Sequence, residues 1–284
     1  MYNLRKRAYI LQLKNLDKYI LEDITGQDHP SDFIKRENYC VLILRLPEVN
    51  SSVSINSFAF IIEKDLVSIF NRECNTIEEL GSIDRLIEFI NQKVEQLIAN
   101  IKRYHLAIDD MEESIYTNNL SDSFMQEWLS YKKDISLINR LMFHSLIAIE
   151  QFVAHLKKDK SINYNIHALE DITEETKRVF DLSKAAIDKL ENLYNFFRAK
   201  VDEKMNKNVY YLTLLSGIFL PLTLLTGFFG MNTGGLPFEN DPMGTWKVVG
   251  ISIILEVIFF LPFIRQNFQK IKRFKKRRNF STKI

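Results

Sequence analysis

VYYLTLLSGIFLPLTLLTGFFGMN, Val209–Asn232, is the stretch that decides the fold of this 284-residue chain. Its first 21 residues, Val209 to Phe229, carry no charged side chain. As an α-helix rising about 1.5 Å per residue they span about 31 Å, close to the ~30 Å hydrocarbon core of a bilayer. A helix pairs its backbone groups internally, as hydrocarbon demands. The stretch therefore reads as a membrane-spanning helix rather than the core helix of a soluble domain.

Every seventh residue gives two series, Asn206, Thr213, Leu220, Gly227 and Val209, Ser216, Thr223. Together they make a seam at the 3-4-3-4 spacing of a supercoiled bundle. The seam holds two Thr, a Ser and a Gly, among flanking positions that are mostly Leu, Ile, Phe or Tyr. Small and hydroxyl side chains on one stripe mean either tight helix contact or a wet lumen. Pro221 removes one backbone donor from the middle of the span.

The span closes on Gly230-Met231-Asn232, and PLTLLTGFFGMN resembles the CorA-type divalent-cation transporters. Their signature is a Gly-Met-Asn triplet ending the first of two C-terminal membrane helices. The likeness runs ungapped back through Asn206 to about Asp171 and extends in layout to a second span and a basic tail. It implies a funnel-shaped homopentamer. Its α+β cytosolic domain carries a long stalk helix that continues into a two-helix transmembrane module. It further implies that Gly230, Met231 and Asn232 ring the outer mouth and meet the hydrated ion. Gly227, Thr223, Leu220, Ser216, Thr213, Leu212, Val209 and Asn206 then line the path, with Leu220, Leu212 and Val209 as a hydrophobic gate. The transported and regulatory ion is Mg²⁺ or Zn²⁺, and no other cofactor is implied. Mg²⁺ gives up its water reluctantly, so neutral carbonyl and amide oxygens suit it as a filter. The resemblance also implies a sensing site between subunits, which counting back from Asn232 puts at Asp171, with Glu174 and Glu175 following. Asp171 also reads simply as an acid near a helix N-terminus, where it complements the dipole.

The rest of the chain fits this layout. Residues 1–205 carry 27 Lys/Arg against 33 Asp/Glu, a net of −6, whereas residues 206–284 carry a net of +8. An acidic soluble part attracts cations. Residues 1–75 read as a small mixed sheet built from Ala8–Leu13, Tyr39–Leu46, Ile55–Ile62 and Leu66–Phe70, with Pro47 as a break and a short helix within Asp23–Lys35. From Ser82 the apolar period becomes helical and runs to about Tyr116. A second helix, capped by Ser121 or Ser123 with Glu127 early, carries apolar positions from Leu129 to Val153 and ends near Lys158. A third begins near Ile166 and meets no Gly or Pro until Gly217. Over residues 166–229 it would be a rod of about 95 Å. The expected divisions are a cytosolic α/β domain with a helical hairpin (1–165), a stalk (166–208), a first span (209–229), an outer loop (230–245), a second span (246–264) and a basic tail (265–284).

Cys40 and Cys74 form no Cys-x-x-Cys and read as reduced thiols. Met1 to Leu16 has no signal-peptide pattern. The five histidines show no i, i+4 pair, and structural or solvated roles outweigh ligation. With no Ser-His-Asp order, P-loop or Gly-rich phosphate loop, an enzyme has no support. Arg265 to Lys283 holds nine basic residues and no acid. The positive-inside rule keeps this tail in the cytosol, and two spans return the N-terminal domain there too. The reading is an integral protein of a bacterial inner membrane with both termini cytosolic. Contact with anionic lipid headgroups, not nucleic acid, follows from the tail's place beside a span. Glu256, inside the second span, is either a proton site or a protonated acid bonded to a neighbouring helix. Three classes stay open: a passive Mg²⁺ channel, a transporter of Zn²⁺ or of Co²⁺ or Ni²⁺ with or without proton coupling, and a membrane-anchored scaffold. The loop Gly234-Gly235-Leu236-Pro237 looks more like the zinc branch of the family, and the intact Gly-Met-Asn more like the magnesium branch.

Overall fold

A computed structural model describes residues 16–26, 29–50, 52–71, 76–117, 123–158, 164–231, 234–258 and 261. The chain divides into two compact units, Met1–Phe197 and Arg198–Ile284. The expected strand Ala8–Leu13 and the tail 265–284 lie outside the described residues.

The first unit opens with α1 (Lys18–Thr25), where the Tyr19 N–H donates to the capping carboxylate of Asp17 at 3.2 Å. Five strands follow: β1 (Asp32–Lys35), β2 (Cys40–Val49), β3 (Val53–Glu63), β4 (Leu66–Asn71) and β5 (Thr76–Gly81). They form one sheet in the order β1-β2-β3-β4-β5. Among the described residues every pairing is antiparallel, where a mixed sheet was expected. Short connections force each strand to return beside its predecessor, because parallel neighbours need long crossovers. The short helix expected within Asp23–Lys35 lies upstream as α1, and Asp32–Lys35 is a strand. β2 runs through Pro47 to Val49 instead of breaking there. The registers explain why. β1 covers only Cys40–Ile43, so among the described residues Pro47 has a strand on one side alone, opposite Ile55. A proline is tolerated where its missing N–H faces no ladder.

β2 lies inside the sheet, between β1 and β3, and buries both of its faces. Leu42, Leu44 and Leu46 enter one core, while Val41 and Ile43 enter a second beneath Ile20 and Ile24 of α1. Burial on both faces explains the unbroken apolar run Cys40–Leu44, which shows no alternation.

Two long helices cover the first face. α2 (Ile83–Tyr116) buries Leu86, Ile90, Val94, Leu97 and Ile101, as its period predicts. α3 (Phe124–Lys158) follows, with the Gln126 and Glu127 N–H groups donating to the Ser123 carbonyl at 2.9 and 3.0 Å. The Ser123 hydroxyl donates to the Glu127 carboxylate. Leu129, expected on the apolar face of α3, is exposed instead. Phe152 is fully buried with its ring 5.8 Å from Phe33 of β1, fastening the helix layer to the sheet. α4 (Ile166–Phe229) is a single 64-residue helix. Asn165 caps it, accepting from the His167 N–H at 3.1 Å.

The second unit holds the end of α4, a loop, and α5, helical over residues 244–258. Gly244, at the start of α5, requires glycine on steric grounds. A Cβ there would meet the Phe238 carbonyl oxygen at 2.3 Å. Phe238 itself sits at φ 67°.

Candidate permeation and sensing sites

In the first unit α4 buries Leu169, Ile172, Thr176, Val179, Ser183, Ala186, Leu190 and Leu193. This is a strict 3-4 repeat. Shifting it by two residues turns about 200° around the helix, to the opposite face. That face carries Asp171, Glu174, Arg178, Asp181, Ala185, Asp188, Asn192 and Asn195, all exposed. The same spacing continues in sequence through Ala199 and Asp202 to Asn206, Val209 and the rest of the seam. The unpacked stripe of the stalk and the polar seam of the span thus share one register. That register differs from the one used for packing within the chain.

One helix among the described residues is long and apolar enough to cross a membrane, α4, and none of its apolar window is buried. Leu212, Leu220 and Leu224 are 64 %, 68 % and 73 % exposed. Leaving each such side chain in water forfeits about 1.5–3 kcal/mol, so this segment favours an apolar setting. Tyr211 and Trp246 are also exposed, as interfacial aromatics would be.

Seam chemistry is visible in the hydroxyls. Thr213 donates to the Val209 carbonyl at 2.8 Å and Thr223 to the Phe219 carbonyl at 2.7 Å. With their protons committed to the helix, both oxygens present lone pairs outward. Pro221 lacks an N–H, so the Gly217 carbonyl four residues earlier has no intrahelical donor. Asn206, Val209, Leu212, Thr213, Ser216, Leu220, Thr223 and Gly227 are all exposed.

At the end of the span, the Gly230 N–H donates to the Thr226 carbonyl at 2.9 Å and the Met231 N–H to the Phe228 carbonyl at 3.4 Å. A Cβ on Gly230 would stand 2.9 Å from that Thr226 oxygen, so this helix end admits only glycine without adjustment. Met231 is exposed, and Asn232 lies outside the described residues. In the loop, the Gly235 N–H donates to Glu239 at 2.8 Å. Asp241 accepts from Lys247, which holds its carboxyl below the usual range, helped by the Met243 N–H.

Asp171 and Glu174 are exposed on α4, and Glu175 is half-buried beside them. Burial pushes the Glu175 carboxyl up, and the charges of Asp171 and then Glu95 of α2 add to the rise, against Arg178. Glu95 joins this group from 80 positions earlier, and no sequence spacing signalled it. Among the described residues no three His, Cys, Asp or Glu side chains of one chain assemble a metal site. The charges of Asp171 and Glu95 both act against ionisation of Glu175. Glu256 is half-buried in α5, with its Oε1 fully enclosed and without a hydrogen-bond partner.

A family profile for CorA-like Mg²⁺ transporter proteins matches residues 3–265, and the chain belongs to that family. The zinc transport protein ZntB of Vibrio parahaemolyticus is 29 % identical over 181 residues, 62 % of this chain. The match spans about half of that relative, 55 %. The cobalt/magnesium transport protein CorA of Methanocaldococcus jannaschii is 22 % identical over 250 residues, 81 % of this chain and 77 % of that one. The complete structure of that CorA magnesium transporter superposes with a TM-score of 0.71 at 17 % identity, covering 93 % of this chain and 86 % of its own. Full-length CmaX gives 0.69 at 14 % identity, covering 87 % and 81 %. These likenesses establish the fold.

Proposed function

We propose that the chain is a divalent metal-cation channel of the cell membrane, working as a homopentamer that passes Mg²⁺. The observation that carries this reading is the register of α4. Its exposed stripe of acids, amides, hydroxyls and glycine is unused in the single chain and runs into the Gly-Met-Asn turn. Five copies about an axis would turn that stripe inward. The acid-rich stalk would draw cations, and the hydroxyl oxygens would accept from their water. Asn232 with the Gly230 and Met231 carbonyls would hold the hydrated ion at the outer mouth, as neutral oxygens do without trapping it. Leu212, Val209 and Leu220 would close the path by dewetting. Asp171, meeting acids of a neighbouring copy, would be bridged by cytosolic metal, and loss of that metal would let the copies repel.

A second reading is supported by two observations, the ZntB relative and the enclosed, unpartnered Glu256 Oε1. In it the chain carries Zn²⁺, or Co²⁺ or Ni²⁺, with Glu256 as the proton group. An ionisable side chain inside a membrane span is a functional-site candidate by default.

Flux into proteoliposomes decides between them. Under the favoured reading Mg²⁺ uptake follows membrane potential and ignores an imposed pH gradient, and Asn232→Ala abolishes uptake in a correctly assembled protein. Zn²⁺ uptake that tracks the pH gradient, and loses that dependence in Glu256→Gln, establishes the second. The absence of any divalent flux would leave a membrane-anchored scaffold.

A further inference from the structure

A cleft of about 260 Å³ lies in the first unit between the β2–β3 hairpin and α2, away from every residue assigned above. Two of its walls differ in chemistry. The hairpin supplies Phe58, with Glu48 and Asn56, and α2 supplies Lys93, Asn100 and Arg103. The carboxylate on this lining, Glu48, is already engaged, accepting from the Asn56 amide at 2.5 Å. The two cations are not engaged in this way. Among the described residues neither Lys93 nor Arg103 forms an ion pair. Lys93 instead lies 5.8 Å from the centroid of the Phe58 ring and 5.9 Å from that of Phe89. This is an attraction of about 0.5–1 kcal/mol at an exposed site, enough to favour the ammonium at the cleft wall while leaving it free to turn toward a ligand. Phe58 in turn packs edge-on against Phe89 at 5.1 Å, so the wall is rigid. Lys93 and Arg103 are ten residues apart on one helix, about 15 Å along its axis. The long side chains at the two ends can reach toward a ligand between them, over an amide and an aromatic surface.

We propose that this cleft binds a small phosphorylated organic anion, with its phosphoryl group on Arg103, a second negative charge near Lys93, and its body against Phe58. A guanidinium presents a planar fork that matches phosphate oxygens, and an apolar wall with a few placed polar groups is the usual make-up of a small-molecule site. Nucleoside diphosphates are of this chemistry, and so is pyrophosphate, which lacks the apolar body. Such a ligand would give the cytosolic domain an input separate from the metal-sensing acids of the stalk.

The test is isothermal titration of the full-length protein in detergent with metal-free ADP and, separately, with pyrophosphate. ADP is expected to bind at least tenfold more tightly than pyrophosphate, because only ADP uses the Phe58 wall. Arg103→Glu and Lys93→Gln are each expected to weaken ADP at least tenfold. Arg103 is exposed and Lys93 half-buried, so their thermal midpoints without ligand should match wild type. ADP binding that persists in both variants belongs to the basic tail and overturns the proposal. Pyrophosphate binding as tight as ADP, or neither ligand binding at millimolar concentration, overturns it as well.

Discussion

Gly230 carries two duties, and they test the mouth at the level of single atoms. Its N–H closes the last turn of α4 on the Thr226 carbonyl, and the space a Cβ would need is taken by that same oxygen at 2.9 Å. Gly230→Ala must therefore lengthen the closing bond or rotate the turn, a strain of about 1–3 kcal/mol. The expected outcome is a fall in divalent flux of roughly tenfold or more, with helix content by circular dichroism unchanged. Wild-type flux in that variant would show that the turn's geometry does not set the mouth.

Among the elements, α4 is held to α2 by Lys189, which reaches both Asp109 and Glu112, the latter at 3.2 Å. The Asp109 hydrogen bond is the first cause holding the Lys189 ammonium above its usual range. A raised folded-state value stabilises the protein fully below the ordinary lysine pKa of 10.5 and loses that contribution as pH rises through the folded value. The pair is a third to half exposed, so its worth is only about 0.5 kcal/mol. Lys189→Met should thus lower the thermal midpoint by about 1–2 °C at pH 8, with the difference closing as pH rises past the ordinary lysine range. The top of the same helix supports a stronger statement. Asp171→Lys replaces one of three repelling acids with a base that pairs with its neighbours without metal. Protease protection of the stalk should then no longer require Mg²⁺. Unchanged metal dependence would leave Asp171 as an ordinary acid near a helix end. Within the core, Phe152→Ala empties the contact between α3 and β1 and should cost about 3–5 kcal/mol of domain stability, measured by thermal unfolding.

For the molecule as a whole, the unused face of α4 is the controlling fact. An exposed apolar segment of this length needs lipid, and a polar stripe within it needs something other than lipid. Several copies around an axis satisfy both, since the stripe then faces a lumen while Leu, Ile and Phe face hydrocarbon or the other helix. The detergent-solubilised protein is accordingly expected to have the mass of about five chains by light scattering. A monomer or dimer that still conducts would sink the pore reading.

How much of this was legible beforehand depended on whether the determining interaction was local. The span, the 64-residue α4, and the starts of α2 and α4 at Ile83 and Ile166 follow from charge, period and capping, which act within a few residues. The sequence by itself also determined the 3-4 seam, because spacing along a helix fixes which side chains share a face. The sheet was less legible. The partner strand decides whether Pro47 ends a strand, and β1 stops short of it. β5 was missed because Thr76–Gly81 carries two adjacent glutamates and one fully buried apolar side chain, Ile77, so its strand character comes from pairing with β4. Leu129 matched the helical period yet faces solvent. Only the tertiary structure decided which acids stand together, bringing Glu95 beside Glu175 and Asp171. It alone placed Lys93 and Arg103 across a cleft from Phe58. It also showed that the stalk buries the face opposite its acidic stripe. These are long-range contacts, set by how helices pack on the sheet, and nothing in the spacing of one segment encodes where another will lie.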